Sequence, residues 1–302
     1  MGAALASVRF QTLQPDEIVV VDAGSTDDTV GLLHAIAAQY PAVRVIEGVG
    51  RFTAPQARNV ALREVTSPFV ATLDQDDLMA RHRLAHQVAG LARAPHLIAL
   101  GGRLRNVDSA GAPRRPSGVG NRHPHGRPTS REQLRWAITR YSPALSSGLI
   151  YRTAELRSLG GFDEAHPLVD DYALLGQLSE LDAVEIAHTV VGAYRKHSRM
   201  TSVVAGRRQF HETRLLQWRL IHDRLGITPT LAAVAALVRP DDDSNSAALL
   251  EARALWDALY DEARARVETD GADLAWVDAD HQRLRQRLDR RIANVTAAAT
   301  MP

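Results

Sequence analysis

Pro68-Phe-Val-Ala-Thr-Leu73-Asp74-Gln75-Asp76-Asp77 joins an apolar run of strand length to a cluster of three acids. Open α/β sheets bind ligands outside the carboxyl ends of their strands, which is where these acids fall if residues 68–73 form a buried strand. Two acids separated by one residue on a short turn suit a hard divalent cation such as Mg2+ or Mn2+. Such an ion takes one or two protein carboxylates and completes its shell with water and phosphate oxygens. The same letters also read as an acidic turn capping the next helix, because Asp is a favoured N-cap. On this stretch alone both readings stand.

Outward from it, residues 17–107 alternate short apolar runs with amphipathic segments. Strands are expected over 17–22, 43–46 and 97–100, and helices over 29–39, 55–65 and 81–93. That alternation predicts βαβ units and a mostly parallel sheet. Residues 108–130 are rich in Gly, Pro, Ser and Arg and read as a hairpin turn followed by a long surface loop. Within it, His123 and His125 are a weak metal pair or, more simply, solvated loop residues. Mixed α/β character returns over 144–195, with a strand at 144–151, a helix at 154–159 stopped by Gly160-Gly161, and a helix at 172–180 entered through Asp170-Asp171. Beyond Thr201 only helical patterns remain, at 207–225 and 247–267, with 241–246 as a linker. The expected organisation is a catalytic domain over 1–204 and a helical extension over 205–302, without internal repeats.

Composition narrows the function. The chain has 302 residues, 45% of them hydrophobic, and a formal net charge of +1, so no global charge argues for nucleic acid. It contains no cysteine, which excludes disulfides, thiolate metal sites and cysteine nucleophiles, and Lys196 is its only lysine. The longest apolar stretch, 231–238, is far short of the roughly 20 residues a membrane span needs, and no signal-like leader opens the chain, so a cytoplasmic location is expected.

Four segments carry chemistry. Val19-Val-Val-Asp22-Ala-Gly-Ser25-Thr-Asp27 is a strand ending in an acid, then a glycine turn and a helix start whose free N–H groups favour anions; it is equally an ordinary N-cap sequence. Ala57-Arg58-Asn59 follows a glycine-containing loop, where Arg58 reaches a phosphate or stays a surface arginine. The third is Asp74, Asp76 and Asp77. The fourth combines Gly160-Gly-Phe-Asp163, Asp170-Asp171-Tyr172 and Tyr194-Arg-Lys-His197.

In this order and spacing the segments resemble the family 2 glycosyltransferases of the GT-A fold, over roughly residues 3–204. The resemblance implies a Rossmann-like mixed sheet, and a nucleotide-sugar donor bound by Asp22, Ser25, Arg58, Asn59 and Asp74. It also implies Mg2+ or Mn2+ on Asp76 and His197, Asp171 as general base, and Asp170 and Asp77 in support. Transfer with inversion to a sugar, lipid-linked or other hydroxyl acceptor, in cell-envelope glycan biosynthesis, is what such an enzyme would do. The processive Q-x-x-R-W motif is absent, since Leu174-Leu-Gly-Gln177 follows the base, so one transfer per encounter is expected. The family's usual first strand has no counterpart ahead of residue 17, which leaves a misplaced start or an inactive, scaffold-like relative as alternatives. A phosphatase of the haloacid dehalogenase type also uses D-x-D, but its distant lysine has only Lys196 as a counterpart. Residues 207–225 place apolar side chains among five arginines, which predicts either a helix lying on an anionic membrane or one packed on the catalytic core.

Overall fold

The computed structural model describes residues 1–48, 50–115, 128, 130–240, 244–270 and 275–299, and divides into two compact units. The first comprises Met1–Pro116 and Ala144–Ala205, the second Ser117–Pro143 and Gly206–Pro302. The described residues 130–143 fall with the helical unit. His123, His125 and the linker residues Asp241–Asp243 lie outside the described residues.

The first unit contains α1 (Gly2–Arg9), β1 (Ile18–Asp22), α2 (Thr29–Gln39), β2 (Val43–Glu47), α3 (Ala54–Glu64), β3 (Phe69–Ala71), β4 (Leu78–Met79), α4 (Arg83–Arg93) and β5 (Ala99–Val107). After the excursion into the second unit come β6 (Leu149–Arg152), α6 (Thr153–Ser158), α7 (Asp170–Glu180), β7 (Val184–Arg195) and α8 (Thr201–Val204); α5 (Arg131–Ile138) belongs to the second unit. Strands β1 and β2 pair in parallel as a sheet of their own, and a second sheet runs β3-β6-β5-β7-β4. Within it only β5 and β7 are parallel; β3-β6, β5-β6 and β4-β7 are antiparallel. The expectation of a mostly parallel sheet came from counting strand-helix alternation, which does not register strands reversed by a loop. Among the described residues no strand pairs with β1 opposite β2, or with β3 opposite β6. The Glu17 carboxylate ties the starts of β1 and β3 together, accepting from the N–H groups of Thr66 and Ser67 at 2.6 and 2.9 Å.

Burial follows the sequence pattern. Leu91 on α4 packs with Leu97, Leu100 and Ile150, and Val8 on α1 packs with Met79 and Leu84. The stretch expected as a strand over 144–151 is extended only from Leu149, after a 3-10 turn at Ser146–Gly148 that redirects the chain. Arg83 is almost fully buried, its Nη2 donating to the carbonyls of Thr72 and Leu149 at 3.0 and 2.8 Å and its Nε to Gln87. Gln87 in turn donates to the carbonyls of Leu100 and Gly148. These two side chains satisfy backbone acceptors where the ladder between the strands is interrupted, and burial pulls the Arg83 guanidinium down to about 10.

The second unit is helical: α5, α9 (Gly206–Leu225), α10 (Leu231–Val238), α11 (Ser246–Asp270) and α12 (Ala275–Ala299). Its core is built on Trp136, Ile221, Leu237, Trp256, Leu259, Val277 and Leu288. Buried Asp280 is met by the Trp136 indole N–H at 3.0 Å, by Arg283 at 2.8 Å and by Arg140. On α9, Ile221 is inside this core with Trp218 and Leu225 packed against it, and Leu216 and Leu220 are buried. No described helix is long and apolar enough to cross a membrane.

Replacing Arg83 by Met should cost about 3 kcal/mol or more, since the carbonyls of Thr72 and Leu149 lose their charged donor in a buried setting. The urea midpoint would fall with the slope unchanged.

Candidate active site

At the end of β1, Asp22 is buried and folds its carboxylate over the following turn. It accepts from Gly24 N–H at 3.1 Å and from Ser25 N–H at 3.1 and 3.3 Å. The Ser25 hydroxyl, with these amides, holds Asp22 below the usual carboxylate range, so it is an anion across the physiological span. Gly24 has φ +96, a left-handed conformation that the turn requires and that favours glycine.

Arg58 sits in the second turn of α3, which starts at Ala54 with Thr53 and Gln56 forming a capping box, so the Ala57-Arg-Asn59 motif lies inside the helix. Its guanidinium is occupied by two carboxylates, Asp74 at 2.8 Å and Asp170, rather than directed at open space for a phosphate. Asn59 is likewise committed, donating to the Phe162 carbonyl and to Glu164 while accepting from Phe162 N–H, each at 2.8 Å. Gly161, at φ +77, brings its backbone so near that a Cβ there would meet Asn59 Oδ1 at 2.5 Å. This network fastens the Gly160-Gly-Phe-Asp163 loop to α3. Asp170 and Asp171 form the first turn of α7. Asp171 accepts from Ser146 N–H at 3.1 Å and from Tyr172 N–H at 2.8 Å. Burial, then the negative charge of Asp170, pushes Asp171 up to about 6; burial also raises Asp170, against the pull of Arg58.

The acids after β3 each have a protein partner, so the cluster is not left for a cation to neutralise alone. Asp74 faces Arg58 and accepts nothing from the sheet, its N–H donating to the Ser147 hydroxyl at 3.0 Å. Asp76 Oδ2 lies 2.7 Å from His197 Nε2. Asp77 is buried and pushed up to about 7 by that burial, while accepting from Arg195 N–H at 2.9 Å. Arg195 also donates from Nε to the Asp76 carbonyl at 2.8 Å and from Nη1 to the Ser109 carbonyl at 2.9 Å, gripping the acidic turn from β7. Among the described residues no group of three or more His, Asp or Glu gathers at metal-holding geometry. The Asp76-His197 pair nevertheless fits a divalent ion that keeps water and phosphate as its other ligands. It offers one carboxylate and one imidazole in contact and partly exposed.

Comparison with known proteins bears on this arrangement. Residues 1–150 match the model of glycosyl transferase family 2. The matched segment is just under half of the 302 residues and carries Asp22, Arg58, Asn59, Asp74 and Asp76. An uncharacterized glycosyltransferase of Haemophilus influenzae is 23% identical over 211 residues, covering 68% of this chain; the chain spans 64% of that relative's length. Among solved structures, S. aureus TarS 1–349 in complex with UDP-GlcNAc superimposes with a TM-score of 0.58 at 17% identity, over 95% of this chain and 87% of that one. The mannosyltransferase PcManGT from Pyrobaculum calidifontis, in complex with GDP-Man and Mn2+, gives 0.54 at 21% identity, over 98% and 83%. The mixed α/β architecture is that of these GT-A neighbours.

Arg195, Ser146 and Ser147 bond to the candidate acids and were not singled out by the sequence. Arg195 stands inside the quoted Tyr-Arg-Lys-His motif, and its alternation with His197 on one strand face was the available signal. The two serines carry no sequence signal, because they act by backbone and hydroxyl contact across about 25 and 70 residues respectively.

With Arg58 changed to Met, Asp170 would be left buried without its cation, a loss of about 3 kcal/mol at pH 8. The carboxyl, with its folded pKa raised above the unfolded value, then favours the folded state only while protonated. The stability gap to the unaltered chain should therefore narrow as pH falls from 8 to 5, measured by denaturant melts.

Proposed function

We propose that this chain transfers a glycosyl group from a nucleotide-diphosphate sugar to an acceptor hydroxyl, in one displacement that inverts the anomeric carbon. The single observation that carries this reading is Asp171, a carboxylate fixed by two backbone N–H groups, raised to about 6 and flanked by the Arg58-linked pair Asp74 and Asp170. A group of that pKa is ionised at neutral pH yet basic enough to take a proton from an attacking hydroxyl. Asp22, anionic and set at a strand end, is placed to accept hydrogen bonds from a base or ribose beside the exposed Ser25. Asp74, oriented by Arg58, is assigned to the ribose side. Asn59 acts through the loop it anchors instead of touching the donor.

Asp76 and His197 are the residues we assign to Mg2+ or Mn2+, whose bound charge would stabilise the departing diphosphate. Donors of this class are named for the neighbours, as UDP, UDP-GlcNAc and GDP-Man with Mn2+. The absence of a Q-x-x-R-W sequence after Asp171 supports a single transfer per encounter. We take residues 1–204 as the part that carries the chemistry, with 205–302 as an accessory helical unit.

Asp171→Asn should keep donor affinity and lower transfer by about 100-fold or more, because the amide cannot accept the proton. In the unaltered chain the turnover rate should fall as pH drops through about 6, where Asp171 becomes protonated, and this acidic limb should vanish from any residual activity of Asp171→Asn. Donor hydrolysis or transfer followed across pH 5 to 8 reads both. Asp76→Ala should abolish Mn2+-dependent nucleotide binding by calorimetry with the fold intact. Full activity of that variant in excess chelator would remove the metal assignment, and a chain that binds no nucleotide at all would be a scaffold.

A further inference from the structure

The end of β5 carries a basic locus with no assigned role. Val107 bridges antiparallel to Pro113, and Arg114 N–H donates to the Asn106 carbonyl at 2.8 Å, so Arg114 stands opposite Asn106. On the other side of β5, Asn106 is in register with Tyr194 of β7. Arg114, Asn106 and Tyr194 therefore form one cross-strand row on a single face. Lys196, two residues beyond Tyr194 and bonded through its N–H to the Val107 carbonyl at 2.8 Å, joins the same face, its ammonium 4.9 Å from the centre of the Tyr194 ring.

Among the described residues no carboxylate pairs with Arg114 or Lys196, and the Asn106 amide has no hydrogen-bond partner. The nearest acid along the chain, Asp108, turns its Oδ1 back onto the N–H groups of Ala110 and Ala112, both at 2.9 Å. Two cations facing one another without an acid repel, and that repulsion is relieved when an anion binds between them. Arg195 Nε and His197 Nε2 reach the acidic turn, at the Asp76 carbonyl and at Asp76 Oδ2. The Lys196 side chain takes no part in those contacts, although it stands beside His197 and although the Tyr194 ring it covers is close enough to Asp77, Asp74 and Asp76 for burial and then their charges to raise its hydroxyl.

We infer that Arg114, Asn106 and Lys196 form a cradle for a phosphate-type oxyanion carried by the acceptor. The inference rests on the reading of the chain as a glycosyltransferase whose donor lies at Asp76 and His197. An acceptor bearing phosphate groups would be drawn to the site by charge and presented with its hydroxyl toward the acidic face, whereas a neutral sugar would gain nothing from these residues.

The probe is tripolyphosphate, titrated calorimetrically into the full chain, with UDP and GDP plus Mn2+ titrated in parallel. Arg114→Gln combined with Lys196→Gln should weaken tripolyphosphate binding by at least about tenfold while leaving metal-dependent nucleotide binding unchanged. Arg114→Gln alone, at an exposed position, should give part of that loss, and Arg105→Gln, an equal loss of charge on the other face of β5, should give none. The proposal is overturned if the chain does not bind tripolyphosphate, if Arg105→Gln matches Arg114→Gln, or if neither variant has an effect. It is also overturned if nucleotide binding falls in parallel, which would assign the cradle to the donor's diphosphate. Cradle-dependent tripolyphosphate binding in a chain that binds neither nucleotide would uphold the cradle and remove the donor assignment instead.

Discussion

One guanidinium holds the candidate site together. Arg58 bridges Asp74, at the end of β3, to Asp170, at the start of α7, and these segments are about a hundred residues apart in the chain. Each carboxylate alone would carry a desolvation penalty, and the pair would repel; one buried cation between them removes both problems and fixes the distance between the acidic turn and the helix bearing Asp171. The raised pKa of Asp171 comes first from its own burial and then from the negative charge of Asp170, while Arg58 pulls it back.

Arginine recurs in the same capacity elsewhere. Arg83 completes the interrupted ladder between the strands, and Arg195 holds the acidic turn by its N–H on Asp77 and its Nε on the Asp76 carbonyl, while its Nη1 ties in the Ser109 carbonyl. A planar fork with several donors can satisfy backbone carbonyls that diverge where strands part, which a lysine ammonium does less well. The near absence of lysine makes the single exception, Lys196, conspicuous at the edge of the site.

In the second unit, α9 carries the letters of a surface-seeking amphipathic helix, and its Ile221 is buried in the core that Leu237 of α10 and Trp256 of α11 build, with Leu216 and Leu220 buried as well. Its buried Asp280 is tolerated because Arg140, Arg283 and the Trp136 indole converge on it. Neither the burial nor the convergence is encoded locally.

By itself the chain's order of letters determined the alternation of elements in the first unit, the acidic turn after β3, the helix stop at Gly160-Gly161 and the family resemblance, because each depends on spacing within about ten residues. The absence of cysteine removed whole classes of chemistry for the same local reason. Only the tertiary structure decided which strands run antiparallel, that α5 belongs to the helical unit, that Arg58 meets carboxylates, that Asn59 braces a loop, and that Ser146 and Ser147 orient Asp171 and Asp74. The physical reason is that charge neutralisation and hydrogen-bond satisfaction are settled between groups distant in sequence. Which donor meets which acceptor depends on how the sheets and helices bring them within about 3 Å.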